Sequence, residues 1–416
     1  MTRKLFLTLL ALTVALALGA TAALAATAGR TTDPGVTSTT ILLGGTAPLT
    51  GSQSAYASVA RGAKAYFDYV DSKGGVNGRR IDYTVLDDLS DPTQTAQLTK
   101  RLVEKDGVFA VFNTYGTDQN LAVRDYLNQK KVPQLFAASG ATALGSDPAQ
   151  YPYTIGLRPT FTAEAWVLGQ YLARTQGAAR VGVLYENSSS GQELLTGLRR
   201  GILRSKVKLV STQGYEVGAT DVQAQIARLR LSGANVLAVF ASPKQTAEAL
   251  RYANRLGWKP KLTLSSSAAS SATLVGPASE KGANRVVKGM VSIAYLKDPT
   301  DPRWTKDSSM KLYRKVLARY APGADPDDVY HVYGMAAAWT LVEAIGRAGS
   351  DLSRERLVQI VGSLNLQGKQ GNPFLQPGIA LKTGAGDHFP IDQMLLQRWQ
   401  KNGWRSFGGL WAYRGG

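Results

Sequence analysis

From about residue 38 onward, short apolar runs alternate with segments in which apolar residues recur every three or four positions. Residues 41–46 form the first run and read as a strand. Tyr56, Val59, Ala63, Phe67 and Val70 then share one face of a helix, which Gly74-Gly75 ends. Ile81, Tyr83 and Val85 alternate as a second strand. Pro92 opens a helix to about residue 105, residues 108–112 predict a third strand, a helix runs to about 129, and residues 132–136 predict a fourth strand. Strands and helices in this alternation make a doubly wound α/β unit with a largely parallel sheet.

The same order restarts near residue 162. Helices are predicted at 162–174, 191–205, 221–231 and 245–256, with strands at 181–185, 209–215 and 236–240 between them. The tract 264–273, rich in Ser and Ala, reads as a loop and helix start rather than a linker. Two such units side by side turn their strand ends toward a shared crevice, where open α/β sheets bind ligands. The remaining helices, near 304–320 and 329–348, are too few for a third unit. They are expected to return to the first lobe, and the last strands, within 391–404, to the second. The expected division is 38–155 plus 291–385 for lobe 1 and 156–290 plus 386–416 for lobe 2. Crossings are expected near 153–158, 291–296 and after Gly378.

Composition changes this picture at the N-terminus. Arg3 and Lys4 precede an uncharged Leu- and Ala-rich stretch to Ala28, and Ala23-Leu24-Ala25 supplies small residues at a cleavage position. Residues 1–25 therefore read as a secretory signal peptide cleaved after about Ala25, and 26–37 as a flexible leader. The competing reading is an uncleaved anchor, since about 20 apolar residues can span a bilayer. The chain has no cysteine, which excludes disulfides, thiol catalysis and a cysteine-linked lipid anchor, and favours release into a periplasm. The net charge of +18 arises from scattered pairs such as Arg79-Arg80 and Arg199-Arg200. No dense basic stripe with interleaved aromatics is present, so the charge reads as a solvated surface and not as a nucleic-acid site.

The search for enzyme chemistry is mostly negative. The two histidines, His331 and His388, lack the helical spacing of a zinc pair, and no phosphate-binding loop or nucleophile elbow occurs. Asp87, Asp88 and Asp91 could form a metal site or a carboxylate dyad, but they end a strand and precede Pro92, which favours loop and helix-capping roles. No metal, cofactor or catalytic residue is assigned.

Three segments in order carry a resemblance: Thr46-Ala-Pro-Leu-Thr-Gly51, Gly74-Gly-Val-Asn-Gly78 and Asp87-Asp88-Leu-Ser-Asp91-Pro92. Residues 180–185, 330–341 and 391–404 continue it. The chain resembles the periplasmic leucine/isoleucine/valine-binding proteins, type I solute-binding proteins of ABC importers. The resemblance implies a monomer of two lobes joined by three crossovers, which hinge shut on a small molecule and dock on a permease in the cytoplasmic membrane. A sensor module for a membrane signalling partner is the alternative.

On the first lobe the resemblance places an aromatic ligand wall at Tyr56 and a hydroxyl donor at Thr117 beside Gly116. It places a carboxylate-gripping loop at Ser139, Gly140, Ala141 and Thr142, where small residues let backbone donors approach an anion. On the second lobe the sequence departs from the family. Ser190 and Ala241 or Ser242 stand at its aromatic positions, and Ser266 at the acidic position that pairs with a ligand ammonium. Ligands without a free α-ammonium are therefore expected to suit the site better than leucine, isoleucine or valine, with Glu186 as the one candidate replacement carboxylate.

Overall fold

A computed structural model describes residues 33–401 and 403–413. The signal peptide expected at 1–25 and most of the leader lie outside the described residues. The end of that leader is not loose, since Val36 is buried, Leu42 N–H donates to the Gly35 carbonyl at 2.7 Å, and residue 36 bridges to Ile41. The apolar side chain at 36 has a core to join.

The first sheet comprises β1 (Thr40–Ala47), β2 (Arg80–Asp87), β3 (Ala110–Phe112), β4 (Gln134–Ala137) and β5 (Thr154–Gly156). Its order is β2-β1-β3-β4-β5, all parallel. The second comprises β6 (Arg180–Glu186), β7 (Lys208–Tyr215), β8 (Val236–Phe240), β9 (Lys261–Leu264), β10 (Val291–Ala294), β13 (Gln393–Gln400) and β14 (Gly403–Ala412), in the order β14-β13-β10-β9-β8-β6-β7. Its last two strands run antiparallel. A small ribbon pairs β11 (Asn365–Leu366) with β12 (Leu381–Lys382). Among the described residues no helix is long and apolar enough to cross a membrane.

The chain crosses between sheets after β5, after β10 and before β13. Residues 291–294, placed by the sequence in the first lobe, are the strand β10 of the second sheet, so that crossing follows Ala294. The strand β9, just ahead of the Ser- and Ala-rich tract, was missed, and β14 continues to Ala412, beyond the predicted 404. Strands buried on both faces are continuous apolar runs, as in Val236–Phe240, because helices cover both sides of a parallel sheet.

Asp91 caps a helix, and Asp87 and Asp88 brace the loop before it. Asp91 accepts from Thr93 N–H at the start of the helix Pro92–Glu104, Asp88 from Ser90 N–H and the Thr95 hydroxyl, and Asp87 from Leu49 N–H, Leu89 N–H and the Thr50 hydroxyl. The helices Ser308–Tyr320 and Val329–Ala348 pack against Ala57–Asp71 of the first lobe. The second of these contacts depends on Gly334, where a Cβ would stand 2.0 Å from the Val59 carbonyl oxygen. Two helix backbones that close leave no room for a methyl group. Gly334→Ala is therefore expected to lower stability by about 1–3 kcal/mol through overpacking, read by urea denaturation; an unchanged midpoint would contradict the close approach.

Candidate functional site

The carboxyl ends of β1, β3 and β4 face those of β6, β8 and β9, and the loops leaving them enclose a chamber of about 200 Å³. From the first lobe come Gln53, Tyr56, Tyr115, Gly116 and Thr117; from the second, Glu186, Ser188, Ser190, Ser242 and Ser267; from the first crossing, Arg158. The backbone is bent to bring these loops in. Asn113 and Phe136 lie at φ +55° and +52°, with the Asn113 side-chain amide donating to the Phe136 carbonyl at 2.6 Å. A left-handed aromatic residue costs on the order of 1–3 kcal/mol and persists only where its surroundings hold it. Both residues are buried, and a break in the β4–β5 register sits at the same point.

Gly116 precedes the helix Thr117–Gln129 at φ +108°, a conformation that an L side chain would strain. The turn sets the Thr117 hydroxyl 2.7 Å from that of Ser139. Tyr56 stacks on Tyr115 with centroids 4.3 Å apart and tilts against Tyr330 at 5.2 Å. Tyr56 and Tyr330 both donate to the Ser267 carbonyl, at 3.0 and 2.6 Å, so one backbone oxygen of the second lobe is held by two hydroxyls. Burial first, and then neighbouring tyrosines, push both hydroxyls' pKa values well up, keeping them protonated donors.

Other contacts also cross the gap. The Gln53 amide donates to Glu186 at 3.1 Å, Ser189 donates to Asp118, and Thr142 donates through N–H and hydroxyl to Glu193 at 2.9–3.1 Å. Burial raises the pKa of both glutamates; donors from Ser188, Tyr215 and Gln53 oppose it at Glu186, and Thr142 opposes it at Glu193. Five of the nine expected site residues thus line the chamber: Tyr56, Gly116, Thr117, Ser190 and Ser242. Ser139 sits behind Thr117 and bonds Ala141 N–H at 3.1 Å, while Ala141 is buried away from the wall. Thr142 faces a different cavity, of about 490 Å³, with Glu193. Ser266 lines a small adjoining cavity of about 40 Å³.

A family model described as periplasmic binding protein matches residues 40–404. The chain belongs to that family. This periplasmic binding protein has the type I two-lobed fold. It is 25% identical over 374 residues to Leu/Ile/Val-binding protein homolog 2 of Brucella abortus, covering 83% of this chain and 91% of that one. It is 24% identical over 318 residues to an amino acid binding protein of Pseudomonas aeruginosa, covering 75% and 79%. In fold it is similar to a branched-chain amino acid ABC transporter protein from Thermus thermophilus with bound valine, at TM-score 0.79, 19% identity and coverage of 91% and 97%. A fatty acid ABC transporter substrate-binding protein from Thermomonospora curvata superposes at TM-score 0.78, with 20% identity and coverage of 92% and 95%.

Three charged residues at these cavities, Arg158, Glu164 and Asp298, escaped the sequence reading. Arg158, in the first crossing, lies on the walls of both the main chamber and the small cavity. Its Nη2 donates to the Ser266 hydroxyl at 3.0 Å, and that hydroxyl donates to Glu164 at 2.7 Å, with Ser266 N–H on the other carboxylate oxygen at 2.5 Å. A carboxylate therefore does stand beside position 266, brought by the helix Phe161–Thr175. Burial raises the Glu164 pKa, opposed by Arg158 and Ser266. In sequence, a glutamate in the first turn after a capping Thr160 reads as ordinary helix chemistry, and nothing local shows where it will point.

Asp298, beside the second crossing, also lines the small cavity. It is buried and accepts from Thr300 N–H at 2.8 Å and hydroxyl at 2.5 Å, yet burial outweighs these donors and its pKa is pushed up to about 7. A raised folded-state pKa means the folded chain binds more protons than the unfolded one between about pH 4 and 7, so this group's stabilisation is lost as pH rises through that window. Asp298→Asn is expected to melt above the native chain at pH 8, with the difference shrinking toward pH 4.5. A variant equally destabilised at both pH values would contradict the assignment.

Proposed function

We propose that this binding protein captures a small polar ligand, an amino acid, amide or carboxylate, outside the cytoplasmic membrane and delivers it as a monomer to the permease of an ABC importer. The observation that carries the reading is the chamber at the facing strand ends, walled by both lobes. A ligand favours the closed form only to the extent that it binds that form better, which requires contacts on both sides of the gap. Tyr56, Gly116 and Thr117 would supply one side and Ser190 and Ser242 the other.

The chamber's size supports a small metabolite. At about 200 Å³ it is below the roughly 300–1,000 Å³ typical of drug-sized ligands, and a long acyl chain would overfill it. The relatives' names concern amino acids, and one neighbour's concerns fatty acids; the hydroxyls and charged groups, set among apolar side chains such as Phe161, Leu194 and Phe240, side with a small, hydrogen-bonding molecule. The Leu- and Ala-rich start of the chain supports export.

Mass spectrometry of molecules released on unfolding protein purified from its native host, followed by thermal-shift titration of each, tests the proposal. At about 100 times Kd a true ligand adds roughly 2.7 kcal/mol, a rise of several degrees at about 2–4 °C per kcal/mol. Tyr56→Phe, which loses the hydroxyl bond to Ser267 but keeps the stack on Tyr115, is expected to weaken binding about fivefold, for a bond of about 1 kcal/mol. Failure of every released or supplied amino acid, amide and carboxylate to raise the melting temperature would overturn it.

A further inference from the structure

Arg158 is 8% exposed, and the environment around it does not use all of its donors. Its Nη2 is engaged by Ser266, but its Nε has no hydrogen-bond partner among the described residues. Nor does any described carboxylate form an ion pair with it; Glu164 is reached only through the Ser266 hydroxyl. The guanidinium also shares a side-chain hydrogen bond with Tyr295 and lies near the rings of Phe161 and Tyr333, with centroids 5.4 and 5.9 Å away. A buried cationic donor left open is costly unless something arrives to accept from it.

The other charged groups of the chamber are already engaged. Glu186 accepts from Gln53, Tyr215 and Ser188, and Asp118 from Ser189. The Thr142 donors, which the sequence reading offered to a ligand carboxylate, are held by Glu193. What the chamber leaves open is therefore a cation, fixed in orientation, on the boundary of the two cavities.

We propose that Arg158 anchors the ligand through a carboxylate, which accepts from the guanidinium where it lines the chamber, and that the ligand class is a small organic acid whose binding needs no α-ammonium group. This rests on the receptor reading above and names the chemistry of that same chamber. The Ser266–Glu164 pair positions the guanidinium: the carboxylate found at the ammonium position in the sequence pattern is present, but it faces the protein's own arginine by way of Ser266. A fork of parallel N–H donors matches a carboxylate better than a point charge does, so a lysine at 158 is not equivalent.

Matched probes test it: 4-methylpentanoate against 4-methylpentanamide, 4-methyl-2-oxopentanoate and leucine against leucinamide, benzoate against benzamide, and succinate against succinamide. Each is titrated by thermal shift and calorimetry into the native chain, Arg158→Lys and Arg158→Gln. Far-UV circular dichroism and the unliganded melting temperature report folding. Acids are expected to bind and their amides to fail, the oxo acid to bind at least as well as leucine, and affinity to fall about 10- to 100-fold in both variants. Amides bound as tightly as their acids, or acids bound equally by a folded Arg158→Lys, would overturn the anchor while leaving a receptor in place. Silence from every probe in the native chain would overturn the receptor reading for these ligand classes and the anchor with it.

Discussion

Polar groups at the ends of two facing sheets must be paired across the gap, and the rest of this structure answers to that constraint. Parallel strands end in loops rich in N–H, carbonyl and hydroxyl groups, and closing two such ends together removes the water that served them. The paired hydroxyls of Tyr56 and Tyr330 on the Ser267 carbonyl, the Gln53–Glu186 bond and the Thr142–Glu193 clasp each satisfy a group of one lobe with a group of the other. Pairing is incomplete at Arg158, whose Nε is buried without a hydrogen-bond partner among the described residues.

The same constraint shapes the first crossing. Arg158 stands where chain passes from β5 to the helix Phe161–Thr175, so its side chain can touch both cavities, while Glu164 one turn into that helix reaches back to Ser266. A segment that both connects the lobes and holds a charge between them couples ligand contact to lobe position. The tyrosine cluster beside it provides large, rigid surface with hydroxyl tips, suited to a wall that must be apolar in its body and polar at its edge.

The doubly wound units were legible because their longer helices bury one face and their longer strands form apolar runs between turn signals, as in Ala57–Asp71 and Val236–Phe240. The strands β5, β9 and β10 were not, being three or four residues long and too short to carry a period; β3 and β4 are as short but were found from their place in the α/β alternation. At the site, single positions next to strand ends, such as Tyr56, Thr117 and Ser242, fall on the chamber wall because strand ends fix where they go. Ser266 was read as the loss of a carboxylate, and Glu164, 102 positions away, occupies the neighbouring space instead. That exchange between distant segments has no local signature, and neither does the use of the Thr142 loop to hold Glu193.

The central claim is that occupancy of the chamber holds the two lobes together. The absence of native cysteine allows clean paired spin labelling after Leu89→Cys in the first lobe and Leu231→Cys in the second, both exposed positions. Pulsed electron resonance would then compare protein stripped by unfolding and refolding with the same sample given its released small molecules. The account predicts a broad distance distribution in the stripped protein that narrows to a single, changed distance when the molecules are restored. Identical distributions in the two samples would contradict it.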